Sequence, residues 1–402
     1  MTLTSMDLFA GAGGLTEGLE AAGLTCLWAN EVEPIYADTF RANHPDAIVE
    51  TGDIRTIDAN EVRSRLGLDV GELDLLAGGP PCQGFSVNAP SRSTDDPRNH
   101  LFRQYLRFVD TFQPKAILIE NVPGLISFNG GETLDSIIAA LTQLGYASDV
   151  RILYAPHYGV PQTRWRTFII GLRQTTLPPT VFPLPTHSAP ARVNFTSTWQ
   201  GRTLVTPSNS LNLSAFTTVQ DAIGDLPPLS NGEIGAPEKP YTAEPANWYQ
   251  KLMRGRNNTL TDHEAPRLSR INMERLSHIP IGGNWTDIPR DLLPRGMQRA
   301  RITDHTKRYG RPRPDGLAST ILTKCDPHWG AYFHPEQDRA FTIREAARLQ
   351  SFPDHYSFTG SRSDRYAQVG NAVPPLLARA VGTSILQAMR ESSLIGTMRE
   401  AS

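Results

Sequence analysis

The stretch DLFAGAGGLTEG, residues 7–18, joins an apolar segment to a helical pattern through a turn that is rich in glycine. Gly11, Gly13 and Gly14 carry no β-carbon, so a ligand can lie against the backbone of this turn, beside the start of the helix. The spacing matches the dinucleotide-binding pattern GxGxxG only in part, because a leucine and a threonine follow the glycines. A strand, a glycine turn and a helix in this order predict the opening unit of an α/β sheet.

The same alternation continues along the chain as far as Thr175. Apolar segments typical of strands cover residues 5–11, 24–31, 73–79 and 115–122, and the last predicted strand covers residues 164–173. Helical patterns cover residues 15–23, 33–44, 101–112 and 132–145. Strands that alternate with helices in this way predict a doubly wound, mainly parallel α/β sheet.

The composition changes after Leu172, where proline, serine and threonine become frequent and helical periodicity is weak until about residue 265. Aromatic and β-branched residues persist through this region, which favours a loop-rich second domain over a disordered segment. Helical patterns return at residues 342–352 and 374–391. At 402 residues, the chain is expected to form two domains.

Charge is distributed unevenly, although the net charge of the chain is only −2. Residues 1–80 carry 4 arginines against 14 aspartates and glutamates, a net charge of −10. Residues 251–315 carry 14 lysines and arginines against 7 acidic residues, a net charge of +7. The basic segment is suited to contact phosphates, and a solvated helical face is the alternative interpretation.

Three cysteines, Cys26, Cys82 and Cys325, are too few and too widely spaced for a disulfide framework or a zinc site. No apolar run approaches the length of a membrane-spanning helix, and the N-terminal segment lacks the basic flank and apolar stretch of a signal peptide. We therefore expect no bound metal, no membrane span and a location in a reducing cytoplasm.

Cys82 lies in the segment GGPPCQGFS, residues 78–86, directly after the apolar run LDLLA. Pro80 and Pro81 fix the backbone and remove two N–H donors, so this segment can form neither a helix nor an inner strand. The cysteine should stand on a rigid loop past the carboxyl end of a strand, where open α/β sheets bind ligands. The pattern alone leaves open whether Cys82 is a reactive thiol or an inert buried residue.

Carboxylates follow two other predicted strands. Glu31 closes the strand at 24–31, about 20 residues after the glycine turn, where a carboxylate can accept hydrogen bonds from ribose hydroxyls. Asp53, in GDI (52–54), is expected at another strand end, close to where an adenine could bind. With the glycine turn, and without a Walker-type GK[ST] sequence, these residues predict an adenosine-containing cofactor.

Further charged residues lie near the ends of later strands. Glu120 directly follows four apolar residues, a position that would desolvate the carboxylate and favour its protonated form; a helix cap or a surface carboxylate is the alternative. Arg164 and Arg166 are two residues apart, so in a strand both side chains would point to one face. An exposed strand face with ordinary surface arginines is the alternative there.

Taken together, these segments resemble the DNA (cytosine-5) methyltransferases. The matching motifs are FAGAGG (9–14), NEVEP (30–34), GDI (52–54), GGPPCQGFS (78–86), ENV (120–122), VPQTRWR (160–166), RPDGLASTI (313–321) and VGNAVPP (369–375). They follow the family's usual order and span nearly the whole chain. The resemblance implies the fold of S-adenosylmethionine-dependent methyltransferases over residues 1–176, a target recognition domain over residues 177–365, and a segment at residues 366–395 that returns to the catalytic domain.

The resemblance also implies roles for individual residues. Cys82 would be the nucleophile, Glu120 would protonate or bond N3 of cytosine, and Arg164 and Arg166 would support the flipped base. The residues expected around S-adenosylmethionine are Asp7, Phe9, Ala10, Gly11, Gly13, Gly14, Glu31, Val32, Asp53, Ile54, Pro81, Asn371 and Val373. The DNA contacts expected from the loop after Cys82 and from the basic segment are Ser86, Arg254, Arg256, Arg270, Arg299 and Arg301.

The implied reaction is methylation of cytosine C5 in double-stranded DNA, through a Cys82 adduct on a base flipped out of the duplex. Residues 86–99 would form the loop that closes over that base, and no motif supplies a base for the C5 proton. The expected protein is a monomer in the bacterial cytoplasm that modifies a specific DNA sequence, with a restriction endonuclease acting separately.

Three other functions are consistent with parts of the pattern. An RNA methyltransferase of the same family would share the motifs, but the long segment 177–365 separates the catalytic motifs from the final helix, which favours DNA. A dinucleotide-dependent oxidoreductase would leave Cys82, Glu120 and Arg166 unexplained. A catalytically inactive DNA-binding homologue is disfavoured because both the cysteine and the ENV glutamate are present.

Overall fold

A computed structural model describes residues 3–81, 101–206, 212–234, 237–301 and 307–400 of the chain. The chain divides into two compact units. Unit 1 comprises Met1–Tyr158, Trp165–Ser214 and Pro375–Ser402, and unit 2 comprises Gly159–Arg164 and Ala215–Pro374. No helix among the described residues is long and apolar enough to cross a membrane.

Unit 1 is built on one seven-stranded sheet with the strand order β3-β2-β1-β4-β5-β7-β6. Its strands are β1 (Leu3–Leu8), β2 (Leu24–Glu31), β3 (Ile48–Thr51), β4 (Leu75–Gly78), β5 (Ala116–Asn121), β6 (Ala147–Tyr154) and β7 (Trp165–Leu172). The first five strands run parallel, and β7 runs antiparallel to both of its neighbours. The sheet is therefore doubly wound and mainly parallel, as the sequence predicts.

The helices of unit 1 connect successive strands of this sheet or pack on it. They are α1 (Gly14–Ala21), α2 (Pro34–Asn43), α3 (Ala59–Arg65), α4 (Leu101–Phe112), α5 (Glu132–Gln143) and α11 (Pro375–Glu400). The strands are buried and continuously apolar because helices cover the sheet, and aromatic side chains such as Trp28 and Phe108 stack between the layers. α11 packs directly on α1 at Gly18, where an added β-carbon would lie 2.3 Å from the carbonyl oxygen of Pro375.

Short elements complete unit 1 between its main strands and helices. Two-residue strands at Thr198–Trp199 and Arg202–Thr203 form an antiparallel pair. Single turns of 3₁₀ helix occur at Ile54–Thr56, Ala155–Tyr158 and Pro179–Val181, and a longer 3₁₀ segment occurs at Pro123–Gly131. Few residues between 173 and 214 therefore belong to regular elements, in agreement with the change in composition after Leu172.

Unit 2 is rich in loops. Its helices are α6 (Val219–Ile223), α7 (Trp248–Arg254), α8 (Arg270–Ser277), α9 (Ile343–Leu349) and α10 (Arg362–Asn371), and the strands Lys239–Pro240 and Thr259–Leu260 form an antiparallel pair. A small apolar core surrounds Trp285, Tyr309 and Phe333. Loops of this kind need further support, because their backbone groups are not paired in helices or sheets.

Buried arginines provide much of that support. Arg339, Arg344 and Arg348 are each fully buried. Arg339 forms a bidentate pair with Glu345, and Arg348 contacts both Asp354, at 2.7 Å, and Asp225. These charge-assisted bonds tie α9 to its flanking loops and, through Asp225, to the segment after α6, and they satisfy charges that would be costly to bury alone.

The structure confirms the predicted strands and helices of the region up to Thr175 and adds two strands, β3 and β6, that the sequence pattern missed. Both missing strands lie at the edges of the sheet, where partial exposure removes the continuous apolar run of an inner strand. The prediction that residues 164–173 form the last strand of this sheet along the chain is confirmed by β7, which lies inside the sheet between β5 and β6.

The compact units also divide the chain at other positions than 176 and 365. The divisions fall after Ser214 and after Pro374, and Gly159–Arg164 joins unit 2. The residues that follow β7 up to Ser214 stay with unit 1 because they pack on it, as the hydrogen bond from Tyr154 to the carbonyl of Pro190 illustrates (3.1 Å). The functional roles predicted for the domains remain predictions.

Candidate active site and cofactor loop

The candidate site of unit 1 lies at one edge of the sheet. The carboxyl ends of parallel strands meet at the same edge, and ligands bind where the strand order reverses. Here that point is β1, which lies between β2 and β4. The loops that follow β1 and β4 carry the glycine turn and the prolines before Cys82, and the carboxyl ends of β2 and β5 carry Glu31 and Glu120.

The glycine turn after β1 adopts a strained backbone. Phe9, Gly11 and Gly13 all have positive φ values, of 60°, 57° and 92°. Such a value is costly for phenylalanine, and strain of this kind clusters at functional sites. A β-carbon added at Gly11 would meet no atom within 4 Å, so the space above this residue is open. The turn can therefore accept a ligand against its backbone.

Glu31 holds this turn in place from the end of β2. One carboxylate oxygen accepts the N–H of Gly11 at 2.7 Å, and the other accepts the N–H of Glu33 at 2.9 Å. Burial raises the pKa of Glu31, and the two backbone donors oppose that shift. Each carboxylate oxygen has a second lone pair, so Glu31 can still accept hydrogen bonds from a ligand.

Asp7 connects β1 to the first turn of α1, beneath the glycine turn. Its Oδ2 accepts the hydroxyl of Thr16 at 2.7 Å, and its side chain is buried. Burial raises the pKa of Asp7 to about 7, while the hydrogen bond from Thr16 works in the opposite direction. Asp7 therefore supports the turn from below, and the sequence pattern did not single out Thr16 as its partner.

The other predicted cofactor residues of unit 1 differ in exposure. Val32 is 56% exposed directly after Glu31, which leaves an apolar surface available to an adenine ring. Asp53 begins the 3₁₀ turn at Ile54–Thr56 and pairs with Arg55, which lowers its pKa. Ile54 instead belongs to the buried core of the unit.

These residues fit S-adenosylmethionine. An adenosine-containing ligand requires three features that are present here: a turn whose glycines leave the backbone open, a carboxylate acceptor at the end of β2, and an exposed apolar residue beside that carboxylate. Ala10 and Gly14 complete the turn, and the N–H of Ala10 bonds to the carbonyl of Asn30 at 2.9 Å.

Glu120 and Arg166 form a nearly buried ion pair at the end of β5. Arg166 Nε lies 2.6 Å from Glu120 Oε1, and the two side chains are 13% and 14% exposed. They lie on the antiparallel neighbours β5 and β7. Burial lowers the pKa of Arg166, and the charge of Glu120 opposes that shift. A β-carbon at Gly79 would stand 3.2 Å from Glu120 Oε2, so the loop after β4 lies directly against this carboxylate.

Asn121, the second residue of ENV, joins the same loop. Its Nδ2 donates to the carbonyl oxygen of Pro80 at 3.2 Å, and its Oδ1 accepts the N–H of Val122 at 2.9 Å. The described part of the loop ends at Pro81, so Cys82, Ser86 and the predicted closing segment 86–99 lie outside the described residues. The ENV segment therefore contacts the residues that immediately precede Cys82.

The two other cysteines are unsuited to act as nucleophiles. Cys26 is 1% exposed and its Sγ donates to the carbonyl of Trp28 at 3.5 Å. Cys325 is 8% exposed. Burial raises the pKa of both thiols, which disfavours the reactive thiolate.

Arg164 belongs to unit 2 and has different partners from Arg166. Its guanidinium is buried and donates to the carbonyl oxygens of Ile321 (3.0 Å), Gly370 (2.8 Å) and Ala372 (3.0 Å). The two-residue alternation that placed both arginines on one face does not apply, because β7 begins only at Trp165.

Gln162 works with Arg164 in the same cluster. It is fully buried, its Nε2 donates to the carbonyl of Leu349 at 2.9 Å, and its Oε1 accepts the N–H of Ile321 at 3.0 Å. The first half of the QTRWR motif therefore organises unit 2, while Arg166 faces Glu120. Among the predicted cofactor residues of unit 2, Asn371 is exposed at the end of α10, and Val373 is buried.

The basic segment of unit 2 lines a cleft of about 280 Å³. Lys307, Arg311 and Arg313 contribute to its wall, together with the glycines at 282, 283, 310 and 316. Arg311 and Arg313 each pair with an exposed aspartate, Asp338 and Asp315. The Arg313–Asp315 pair is exposed on both sides and therefore weak, so Arg313 stays available to phosphates. Arg311 is only 12% exposed and also donates from Nε to the carbonyl of Pro335 at 2.9 Å.

The predicted DNA-contacting arginines divide into two groups. Arg256, Arg270, Arg299 and Arg301 are exposed. Arg254 differs from them, because its side chain is 10% exposed, its Nε lies 3.0 Å from Asp225 and its guanidinium stacks on Tyr241, a placement that disfavours a DNA contact. Asp225, which neutralises the charge of Arg254, lies outside the basic segment, so a count of the charges within that segment does not include it.

Comparisons with known proteins agree with this geometry. The fold matches the solved structure of a candidate DNA modification methyltransferase encoded within an Escherichia coli prophage, with a TM-score of 0.71 and 23% identity over 97% of this chain and all of that one. The fold is thus that of a methyltransferase. The profile of the C-5 cytosine-specific DNA methylase family matches residues 3–387.

Two bacterial relatives are similar over almost the whole chain. The type II methyltransferase M.AgeI of Thalassovita gelatinovora is 37% identical over 95% of this chain and 99% of its own length. The type II methyltransferase M1.HphI of Haemophilus parahaemolyticus is 36% identical over 96% of this chain and 87% of its own length. The chain belongs to the C-5 cytosine-specific DNA methylase family and is a DNA (cytosine-5-)-methyltransferase.

Proposed function

We propose that this enzyme methylates cytosine within one specific DNA sequence, through a covalent Cys82 adduct on a base that is flipped into the site of unit 1. The observation that carries the proposal is the Glu120–Arg166 ion pair, which lies against the loop that leads to Cys82. A carboxylate and a guanidinium held together beside a nucleophile are what activation of cytosine requires.

Each residue has a defined part in this chemistry. The Cys82 thiolate adds to C6 of the base, while Glu120 donates a proton or a strong hydrogen bond to N3, which makes C5 nucleophilic. Arg166 holds the Glu120 carboxyl in position and contributes positive charge beside the pyrimidine. After C5 has gained the methyl group, loss of the C5 proton expels the Cys82 thiolate. Water is our candidate for the base that takes this proton.

The glycine turn and Glu31 would hold S-adenosylmethionine, with Val32 beside its adenine. When bound, the cofactor supplies an electrophilic methyl group. We also assign Asp53 and Pro81 to this site on the basis of their motif positions; for Asn371 and Val373, which belong to unit 2, a cofactor role stays a prediction from the sequence motif. For Arg164 we propose a positioning role, because its donors are directed at three backbone carbonyls.

Unit 2 would recognise the target sequence. The observations that support this role are the cleft lined by Lys307, Arg311 and Arg313 and the exposed arginines elsewhere in the basic segment.

Alanine variants at Arg256, Arg270, Arg299 and Arg301 should fall into two classes. Those that lose a phosphate contact weaken binding to every duplex and lower the salt slope by about 0.9 each. Those that lose a base contact cost about 1–3 kcal/mol at the cognate sequence only. If none changes affinity, salt slope or discrimination, the basic segment is a solvated face.

The biological setting that we infer is restriction–modification. The two bacterial relatives are named type II methyltransferases, which supports a modification role beside a separate restriction endonuclease of the same specificity. We further propose that the enzyme acts as a monomer in the cytoplasm. Resistance of the host DNA to an endonuclease encoded beside this chain would support that setting. If no such endonuclease exists, the enzyme acts alone.

Bisulfite sequencing tests the proposed function as a whole. DNA from cells that express this chain should show protected cytosines at one short sequence, always at the same position. DNA from cells that express the Glu120→Gln variant is the matched control and should lack that protection. Protection scattered without sequence preference, or equal protection with both proteins, would overturn the proposal.

A further inference from the structure

One exposed tryptophan of unit 2 is framed by cations. Trp329 is 46% exposed, and Leu322, earlier in the same loop, is 40% exposed. The guanidinium carbon of Arg308 lies 5.1 Å from the Trp329 ring centre, and Lys324 Nζ lies 5.7 Å from it. We call these four residues the tryptophan patch. A half-exposed indole with two cations over its ring combines an aromatic surface with positive charge at one place.

The loop holds Trp329 firmly in this position. The backbone N–H of Trp329 donates to the carbonyl of Asp326 at 2.8 Å, and the indole ring packs edge-on against the ring of His328. At the start of the loop, the hydroxyl of Tyr332 accepts the N–H of Leu322 at 3.0 Å and donates to the carbonyl of Thr320 at 2.9 Å. An exposed aromatic on a rigid loop loses little entropy on binding.

The patch is also continuous with the basic cleft. The backbone N–H of Tyr309 donates to the carbonyl of Pro327 at 2.6 Å, and that of Gly310 donates to the carbonyl of Gly330 at 3.3 Å. The segment that carries Lys307 into the cleft therefore runs beside the loop that carries Trp329. Within the described parts of the chain, neither Arg308 nor Lys324 forms an ion pair, and Asp326 is the acidic residue of the loop itself.

We propose that the tryptophan patch is a DNA-binding surface on which Trp329 stacks against a base or sugar and Arg308 and Lys324 contact the flanking phosphates. The inference rests on the proposed function and adds to it a residue that no motif singles out. Exposed aromatics interleaved with arginine and lysine suit nucleic acids, because the ring offers a stacking surface and the cations complement the phosphates. A protein partner would need a wider apolar surface than two residues supply.

The test compares four single variants of the full chain with wild type. Trp329→Ala should weaken binding to the methylatable duplex about 5- to 150-fold, because aromatic–base stacking is lost, and it should leave the salt slope unchanged. Trp329→Phe should retain most of the affinity. Trp248→Ala is the matched control, since Trp248 is 48% exposed in the same unit and packs edge-on against Tyr249.

Binding is measured by fluorescence anisotropy at several salt concentrations, on a duplex that contains the sequence found by bisulfite sequencing and on a pool of random duplexes of the same length. Lys324→Ala should lower the salt slope by about 0.9. Unchanged affinity of Trp329→Ala for both probes, or an equal loss in Trp248→Ala, would overturn the proposal. If wild type binds the random pool through Trp329 but methylates no DNA, the proposed function is wrong, whereas the proposal that the tryptophan patch binds DNA is supported.

Discussion

Replacing Arg164 by methionine is expected to destabilise unit 2, because methionine fills a similar volume without any hydrogen-bond donor. The buried guanidinium donates to the carbonyls of Ile321, Gly370 and Ala372. Ala372 keeps a second donor, Gln350 Nε2, at 2.6 Å. Two carbonyls thus lose the donor that Arg164 provides. A buried group left unsatisfied costs about 1–3 kcal/mol, so the expected loss for the two carbonyls is about 2 kcal/mol or more.

Urea unfolding measures the total loss, and amide hydrogen exchange at residues 318–322 and 368–372 locates it. Arg173→Met is the matched control, because the Arg173 side chain is exposed and its guanidinium donates to the side chain of Gln113 at 3.2 Å, with no buried carbonyl to satisfy among the contacts of the described residues. That variant should stay within about 0.5 kcal/mol of wild type. If Arg164→Met behaves like the control and exchange at the two segments is unchanged, the positioning role of Arg164 is wrong.

Three further predictions concern unit 1. Glu31→Ala should weaken S-adenosylmethionine binding about 10- to 150-fold with little effect on DNA binding; unchanged cofactor affinity in calorimetric titration would assign the ribose contact to another residue. Gly79→Ala should lower kcat roughly 10- to 100-fold at unchanged cofactor affinity, because the new β-carbon stands 3.2 Å from Glu120 Oε2. A normal kcat in steady-state kinetics would show that the loop after β4 can move away from Glu120. Asp7→Asn should change the pH dependence of stability. In the folded protein the pKa of Asp7 is about 7, above the ordinary value of 3.8. The free energy of unfolding of wild type should therefore fall by up to about 4 kcal/mol as pH rises from about 4 to 7, whereas that of the variant should not. Parallel urea-stability curves for the two proteins between pH 5 and pH 8 would contradict this.

The residues of unit 1 could largely be predicted from sequence because a simple rule applies to them. Parallel strands end at one edge of the sheet, so residues that directly follow apolar runs, such as Glu31 and Glu120, are brought to the same edge. The rule does not describe edge strands, and both β3 and β6 were missed. The same rule does not distinguish a carboxylate that faces a ligand from a buried one such as Asp7, because the exposure of each side chain depends on how the surrounding elements pack.

Unit 2 could be predicted far less well, because its contacts join residues that are distant in the chain. Arg164 reaches a carbonyl 208 residues away, and no local pattern contains such a partner. Arg254 was expected to face DNA, yet its partner Asp225 lies upstream of the basic segment that was counted. The exposure of Trp329 depends on how its loop is anchored by Tyr332, which the sequence does not indicate.

The central claim is that Cys82 bonds covalently to the target base, and one gel experiment tests it directly. The purified enzyme is incubated with S-adenosylmethionine and a cognate duplex that carries 5-fluorocytosine at the target position. Fluorine cannot leave C5 as a cation, so wild type should remain attached to the DNA through Cys82 after denaturation. Cys82→Ser should give no such adduct while it still binds the duplex. An adduct with the serine variant, or no adduct with an active wild type, would contradict the assignment of Cys82 as the nucleophile.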